Sequence, residues 1–193
     1  MEGAIAAVVL AGGQSSRMGQ DKARVTVQGK PMLQRVCEAA QHCAQSVIVV
    51  SPWVAQYHSM MPAGCIALVE QVQGKPQGPL VAFAQAIATV EAEWVLLLAC
   101  DLPNLDGEVL GQWADMLAQV PADAIAYLPR SHQGWEPLCG FYHQRCRPSL
   151  QQFVDNGGRS FQRWLVSQTV QPIPAVPAQL LFNCNTPEDL QNV

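Results

Sequence analysis

Two short groups of residues in this chain have side chains suited to chemistry. The first is Gly12, Gly13, Arg17 and Lys22, and the second is Asp101, 79 residues beyond Lys22. A glycine pair lets the backbone turn sharply and approach a ligand with no Cβ in the way. Backbone N–H groups in such a loop can converge on phosphate oxygens. Arginine adds a forked donor and lysine a compact positive charge. An aspartate offers a hard oxygen to Mg²⁺, which needs only one or two carboxylates beside phosphate oxygens and water. These residue types suit transfer of a phosphate-bearing group, in which the protein mainly positions two anions and neutralises their charge. A phosphate acceptor is already an ionised nucleophile, so no Ser-His-Asp or Cys-His arrangement is required. The four histidines, His42, His58, His132 and His143, have no metal-like spacing.

The charge pattern agrees with this reading. Five of the 11 basic residues fall in the first 35, namely Arg17, Lys22, Arg24, Lys30 and Arg35, opposed only by Glu2 and Asp21. From Glu38 to Asp123 the only basic residue is Lys75. An acidic chain with a local cationic segment suits a small, highly charged anion such as a nucleoside triphosphate. The net charge of −4 argues against a broad basic face for nucleic acid.

These groups must be positioned by regular elements. Ala4 to Leu10 is continuously apolar, without alternation, and reads as a strand buried on both faces. Ser46 to Ser51 and Trp94 to Ala99 read the same way, with Ile66 to Val69 as a shorter strand. Gly12 to Gly29 reads as loop, and Lys30-Pro31 as the opening of a helix carrying Met32, Leu33, Val36, Ala40 and Cys43 at helical spacing. Further helices are expected at Pro79 to Val90, Gly107 to Val120, Leu150 to Val154 and Phe161 to Val166. Ala124 to Leu128, Leu138 to Tyr142, Val170 to Ile173 and Leu180 to Asn183 are candidate strands. Thr186-Pro187-Glu188 would begin a final helix, with Thr186 as its cap. Strands that alternate with helices and are themselves apolar runs predict a three-layer α/β fold with a mostly parallel sheet. In such sheets ligands sit beyond the carboxyl ends of the strands. Both chemically loaded segments lie there, Gly12 to Lys22 after the first strand and Asp101 after Trp94 to Ala99. Asp101 has a competing reading as the cap of the helix starting near Gly107.

With 193 residues, 49% hydrophobic and 13% charged, the chain is expected to form one domain over 1–193 with a real core. The seven cysteines are odd in number and contain no C-x-x-C pair, so reduced, buried thiols are expected. The apolar run from Ala4 to Ala11 is shorter than the ~20 residues of a membrane span. No positive charge precedes it, as a secretory signal would require. A cytoplasmic chain without membrane contact is the expectation. Most of the five tryptophans should pack in the core, with Trp135, in a polar loop, as the exception.

The run LAGGQSSRMGQDKARV, Leu10 to Val25, is neither a Walker A loop, since Gly19 precedes Gln20, nor a G-x-G-x-x-G fingerprint. It is similar to the opening signature of nucleotidyltransferases that transfer a nucleoside monophosphate from a triphosphate. Within that superfamily it most resembles the molybdenum cofactor guanylyltransferase family, often called MobA. LAGG and the Asp21 before Lys22 are more like the guanylyl branch than the cytidylyl one, which tends to show LAAG. Further matches fall in the family's order: GPL at Gly78 to Leu80, CDLP at Cys100 to Pro103, EPLCGFY at Glu136 to Tyr142, GGRS at Gly157 to Ser160 and NCNTPEDL at Asn183 to Leu190.

The resemblance implies a Rossmann-like nucleotidyltransferase fold. It implies transfer of GMP from GTP to the terminal phosphate of molybdenum-bearing molybdopterin, with pyrophosphate released and Mg²⁺ as cofactor. It places Leu10, Ala11, Gly12 and Gly13 on guanine and ribose, Arg17 and Lys22 on the phosphates, Asp101 on Mg²⁺, and Arg159, Asn183 and Asn185 on the pterin side. Exchange of the cofactor with molybdenum-inserting proteins and apo-molybdoenzymes is what the family suggests. Two positions depart from its pattern. An Asp that helps bind nucleotide is replaced within Val69-Glu70-Gln71-Val72, where either Glu70 or Gln71 can take its place, and an Asn after the second strand is Ser51. The alternatives are a cytidylyl- or sugar-phosphate nucleotidyltransferase on the same fold, or a nucleotide-binding protein without turnover.

Overall fold

A computed structural model describes residues 3–12, 20–72, 74, 77–184, 186 and 188–192 of the chain. Its central sheet is built from strands β1 (Ile5–Leu10), β2 (Ser46–Ser51), β3 (Cys65–Val69), β4 (Trp94–Ala99), β5 (Ala126–Leu128), β6 (Cys139–His143) and β7 (Val170–Pro172). They lie in the order β7-β5-β6-β4-β1-β2-β3. Only β6 runs against its neighbours, pairing antiparallel with both β4 and β5, and the remaining pairs are parallel. The expected three-layer, mostly parallel α/β architecture is therefore present.

The apolar runs lack alternation because both faces of the sheet are covered. Ala7 and Val9 of β1 and Leu96 and Leu98 of β4 join one core with helices α1 (Met32–Ala40) and α3 (Gly107–Asp115). Ala6, Val8, Val95 and Leu97 point to a second core with α2 (Pro79–Ala88), α4 (Arg147–Asp155) and α5 (Phe161–Leu165). Val95 to Leu98 have no solvent exposure, and burying each such side chain stabilises by about 1.5–3 kcal/mol before entropy is counted. In the second core Phe83, Tyr142, Phe161 and Trp164 pack ring against ring, with centroids 4.8–6.3 Å apart.

Several local expectations need correction. Lys30 and Pro31 do not open α1; they are one arm of a small hairpin with Thr26–Val27. Gln28 and Gly29 both have positive φ, 49° and 83°, the geometry that matches a tight turn to strand twist. Gly107 to Val120 is not one helix: α3 ends at Asp115 and a 3-10 turn follows at Leu117–Gln119. Leu180 to Asn183 is not a strand, because Ala178–Leu181 forms a 3-10 turn. The final helix is a 3-10 segment, Glu188–Asn192. Thr186 does cap it, since Thr186 Oγ1 accepts from the Asp189 amide (3.3 Å) while Asp189 Oδ2 accepts from the Thr186 amide (2.8 Å). Among the described residues no helix is long and apolar enough to cross a membrane.

Candidate active site

Strand register decides which residues meet. Leu10 at the end of β1 lies level with Val50 of β2 and Ala99 of β4, and Ser51 lies level with Val69 of β3. One residue further along, Ala11, Ser51 and Cys100 follow on level with Val69, and Glu70 comes next after Val69, so the four residues Ala11, Ser51, Glu70 and Cys100 lie at the carboxyl ends of four strands. Backbone bonds lock it: Ala11 N donates to Val50 O (2.9 Å), Cys100 N to Leu10 O (3.1 Å) and Glu70 N to Ser51 O (3.1 Å). The chain passes from β1 to β2 on one side and β4 flanks β1 on the other. A ligand crevice is expected where strand order reverses in this way.

Lys22 and Asp101 meet across this point. Asp21 Oδ1 accepts from the Ala23 amide (3.0 Å) and caps the 3-10 turn Lys22–Arg24. That turn aims Lys22 Nζ at Asp101 Oδ2, 3.1 Å away, with the two side chains 17% and 20% exposed. Asp101 is not the cap of α3. Asp106 does that work, accepting from the amides of Glu108 (2.8 Å) and Val109 (3.4 Å). The Asp101 carboxylate is left facing a cation at a strand end.

The C-terminal segment comes to the same place. Cys184 N donates to Asp101 O (3.0 Å), which brings the adjacent Asn183 to the end of β4. The Asn183 amide also donates to Leu181 O (3.4 Å). Arg159 is held elsewhere: its guanidinium donates to Val154 O (3.0 Å), Gly158 O (2.7 Å) and Gln77 Oε1 (2.7 Å). It therefore ties the 157–160 segment to the residue preceding Gly78-Pro79-Leu80. Gly13, Arg17 and Asn185 lie outside the described residues.

Among the described residues Glu70 is the one charged side chain that is buried, only 7% exposed. Burial raises its carboxyl pKa above the usual range. A Cβ on Gly12 would stand 3.1 Å from Glu70 Oε2 and 3.2 Å from Pro52 Cδ, so glycine is what allows this close approach. Gln71 is differently placed: its backbone exchanges two hydrogen bonds of 2.9 Å with the Gln85 side chain on α2. Ser51 is buried and its hydroxyl accepts from the Trp53 amide (3.0 Å), shaping the turn after β2.

Sequence reasoning missed Tyr57. It is 1% exposed, in the 3-10 segment Val54–Met60 after β2. Its hydroxyl donates to Asp21 Oδ2 (2.8 Å), with Ala11 O at 3.3 Å as the longer acceptor sharing the same single proton. The available signal was a polar-tipped aromatic just past the carboxyl end of a strand next to the first. Trp135 is half-buried in a small hairpin, with the Arg130 guanidinium 5.1 Å from its ring centroid. Trp94, Trp113 and Trp164 are core, as expected, whereas Trp53, expected there too, is 39% exposed. All seven cysteines are free thiols, and burial raises the pKa of Cys100 and Cys184 near the site, which keeps them protonated and inert.

Asp101 fits Mg²⁺ by donor chemistry, a hard carboxylate oxygen at a strand end beside a phosphate-binding type of lysine. Among the described residues no group of three His, Cys, Asp or Glu side chains could hold a metal by itself. That donor set suits a cation shared with substrate phosphates rather than one enclosed by protein.

Comparison with known proteins agrees with this fold. The family model of the MobA-like NTP transferase domain matches residues 7–170. A probable molybdenum cofactor guanylyltransferase of Nostoc sp. (strain PCC 7120) is 56% identical over 186 residues, covering 96% of this chain and 88% of that protein. A counterpart of the same name in Synechococcus elongatus is 42% identical, covering 96% of each. Among solved structures, the molybdopterin-guanine dinucleotide biosynthesis protein A of Archaeoglobus fulgidus superposes with a TM-score of 0.76 at 23% identity, over 97% of this chain and 95% of that one.

Proposed function

This chain belongs to the MobA-like NTP transferase domain family, and we propose that it is a molybdenum cofactor guanylyltransferase. In that reading it transfers GMP from GTP to the terminal phosphate of molybdopterin carrying molybdenum. The products are the guanine dinucleotide form of the cofactor and pyrophosphate. The whole chain acts as one unit, its N-terminal part holding nucleotide and its C-terminal part the acceptor. The observation that carries the proposal is the 3.1 Å pairing of Lys22 with Asp101 across the ends of β1 and β4.

An oxygen of the acceptor phosphate forms a bond to the α-phosphorus of GTP, and the bond from that phosphorus to the pyrophosphate oxygen breaks. Both reactants are anionic, so positioning and charge neutralisation carry most of the catalysis. Leu10, Ala11, Gly12 and Gly13 hold guanosine, with Glu70 beside Gly12 as an acceptor for donor groups of the nucleoside. Lys22 and Arg17 bind the phosphates and stabilise the charge that grows on departing pyrophosphate. Asp101 would hold Mg²⁺, which when bound supplies further neutralisation of the triphosphate. Arg159, Asn183 and Asn185 bind the acceptor side. The Lys22–Asp101 pair keeps both charged groups at the site and satisfied before nucleotide arrives.

Calorimetry with GTP, ATP and CTP, each with and without Mg²⁺, tests base choice. Mg²⁺-dependent preference for GTP supports the proposal, and preference for CTP overturns it in favour of a cytidylyltransferase. Asp101→Ala and Lys22→Ala are each expected to lower turnover by roughly a hundredfold or more, with the far-ultraviolet circular dichroism unchanged. Turnover surviving both substitutions would remove these residues from the phosphate and metal roles.

A further inference from the structure

The strongest feature that the proposed chemistry does not use is the Tyr57 hydroxyl. It is buried, and it touches two residues that flank the 12–20 segment in sequence. On one side is Ala11, whose amide is already pinned to Val50 O (2.9 Å). On the other is Asp21, whose second carboxylate oxygen caps the turn that carries Lys22. Arg24 reinforces the contact, with its guanidinium 5.9 Å from the Tyr57 ring centroid and bonded to Gln56 O (3.2 Å). Burial and the neighbouring Asp21 carboxylate push the phenol pKa up, so the hydroxyl remains a donor throughout the working range.

We propose that Tyr57 is a positioning residue for nucleotidyl transfer: its buried ring sets the hydroxyl beside Ala11 at the sheet edge, where it holds Asp21 and thereby fixes Lys22 opposite Asp101. This rests on the phosphate role given to Lys22 above. The physical argument is about placement. Lys22 has a long, flexible stem, and the turn that aims it is only three residues long, Lys22–Arg24. The turn is also anchored by Ala23, buried in the core, and by the Arg24–Gln56 bonds. The tyrosine adds an attachment at Asp21, the residue next to Lys22, from a ring packed beside the sheet edge at Ala11. Misplacing a charge by about 1 Å relative to a reacting centre can cost as much as a hundredfold in rate. A merely structural role would instead appear as lost stability, with turnover per folded molecule intact.

Tyr57→Phe removes the hydroxyl and keeps the ring in its place in the core. Asp21→Asn keeps an oxygen to cap Ala23 and removes the second carboxylate oxygen that receives the phenol. Each is expected to lower kcat about tenfold, with KM for GTP changed by less than about threefold and the melting temperature within about 4 °C of wild type. Asp21→Asn also removes the carboxylate facing Arg24 Nε (3.6 Å), so the double variant should be no more than about twofold slower than Asp21→Asn alone. Wild-type kcat in Tyr57→Phe, or effects of the two substitutions that multiply independently, would overturn the inference. Lys22→Ala measured alongside separates the two levels. If it turns over like wild type, the phosphate role and this inference both fail. If it is inactive while Tyr57→Phe is fully active, only the role of Tyr57 fails.

Discussion

Glu70 occupies the proposed nucleotide site at a position where burial works against the fold. The residue is buried beside Gly12, and desolvation raises its carboxyl pKa. A group whose pKa is raised by folding stabilises the native state at pH below its unfolded value. That contribution is lost as pH rises through the folded value. Glu70→Gln cannot titrate, so it should melt higher than wild type at pH 8, with the gain disappearing toward pH 4. A desolvation cost of ~1 kcal/mol corresponds to roughly 2–4 °C in a chain of this size. The same substitution removes a charged acceptor from the nucleotide end, so affinity for GTP with Mg²⁺ should fall about tenfold. Thermal melts at the two pH values, paired with calorimetry, check both halves. A variant that is more stable and binds GTP undiminished would exclude Glu70 from the nucleoside contact.

Among the elements, the segment between β4 and α3 removes the capping reading of Asp101, because a different aspartate caps the helix. Asp106 caps α3 and Asp101 faces Lys22. Asp106→Ala should therefore cost ~1 kcal/mol, seen as a drop of roughly 2–4 °C in melting temperature, with kcat unchanged. Asp101→Ala should do the reverse. If Asp106→Ala removed activity while leaving the melt unchanged, the assignment of cap and site would be exchanged. The elements β1, β2 and β4 were legible from Ala4 to Leu10, Ser46 to Ser51 and Trp94 to Ala99, because a strand covered on both faces is apolar at every position. Leu180 was misread as strand because an apolar residue buried beneath a 3-10 turn gives the same local signal as one in a short strand.

For the molecule as a whole, the proposed nucleotide site draws on segments far apart in the chain, from Leu10 to Asp101. A ligand that holds such distant segments together stabilises the native state by mass action. GTP with Mg²⁺ at a hundred times its Kd should contribute ~2.7 kcal/mol, a rise of roughly 5–11 °C in melting temperature for this chain length. CTP at the same concentration should give less, and Lys22→Ala should lose most of the shift. Equal shifts for GTP and CTP would count against guanine selection. The measurement is a thermal melt of the full chain followed by intrinsic fluorescence.

The sequence by itself determined the architecture and the residue types of the chemistry. Hydrophobic periodicity is a local property, and a run of small and cationic residues after a buried strand carries its own physical meaning. The resemblance of Leu10 to Val25 and of Asn183 to Leu190 to one family was equally local. Only the tertiary structure decided which of these groups meet. Strand register brought Lys22 to Asp101 and set Glu70 over Gly12, and the Cys184–Asp101 bond drew Asn183 to the same edge. It also joined Tyr57 to Ala11 and Asp21, across 46 and 36 residues of chain. Such contacts depend on how β1, β2, β3 and β4 are ordered and aligned in the sheet, which is set by packing of the entire core and leaves no trace in the spacing of neighbouring residues.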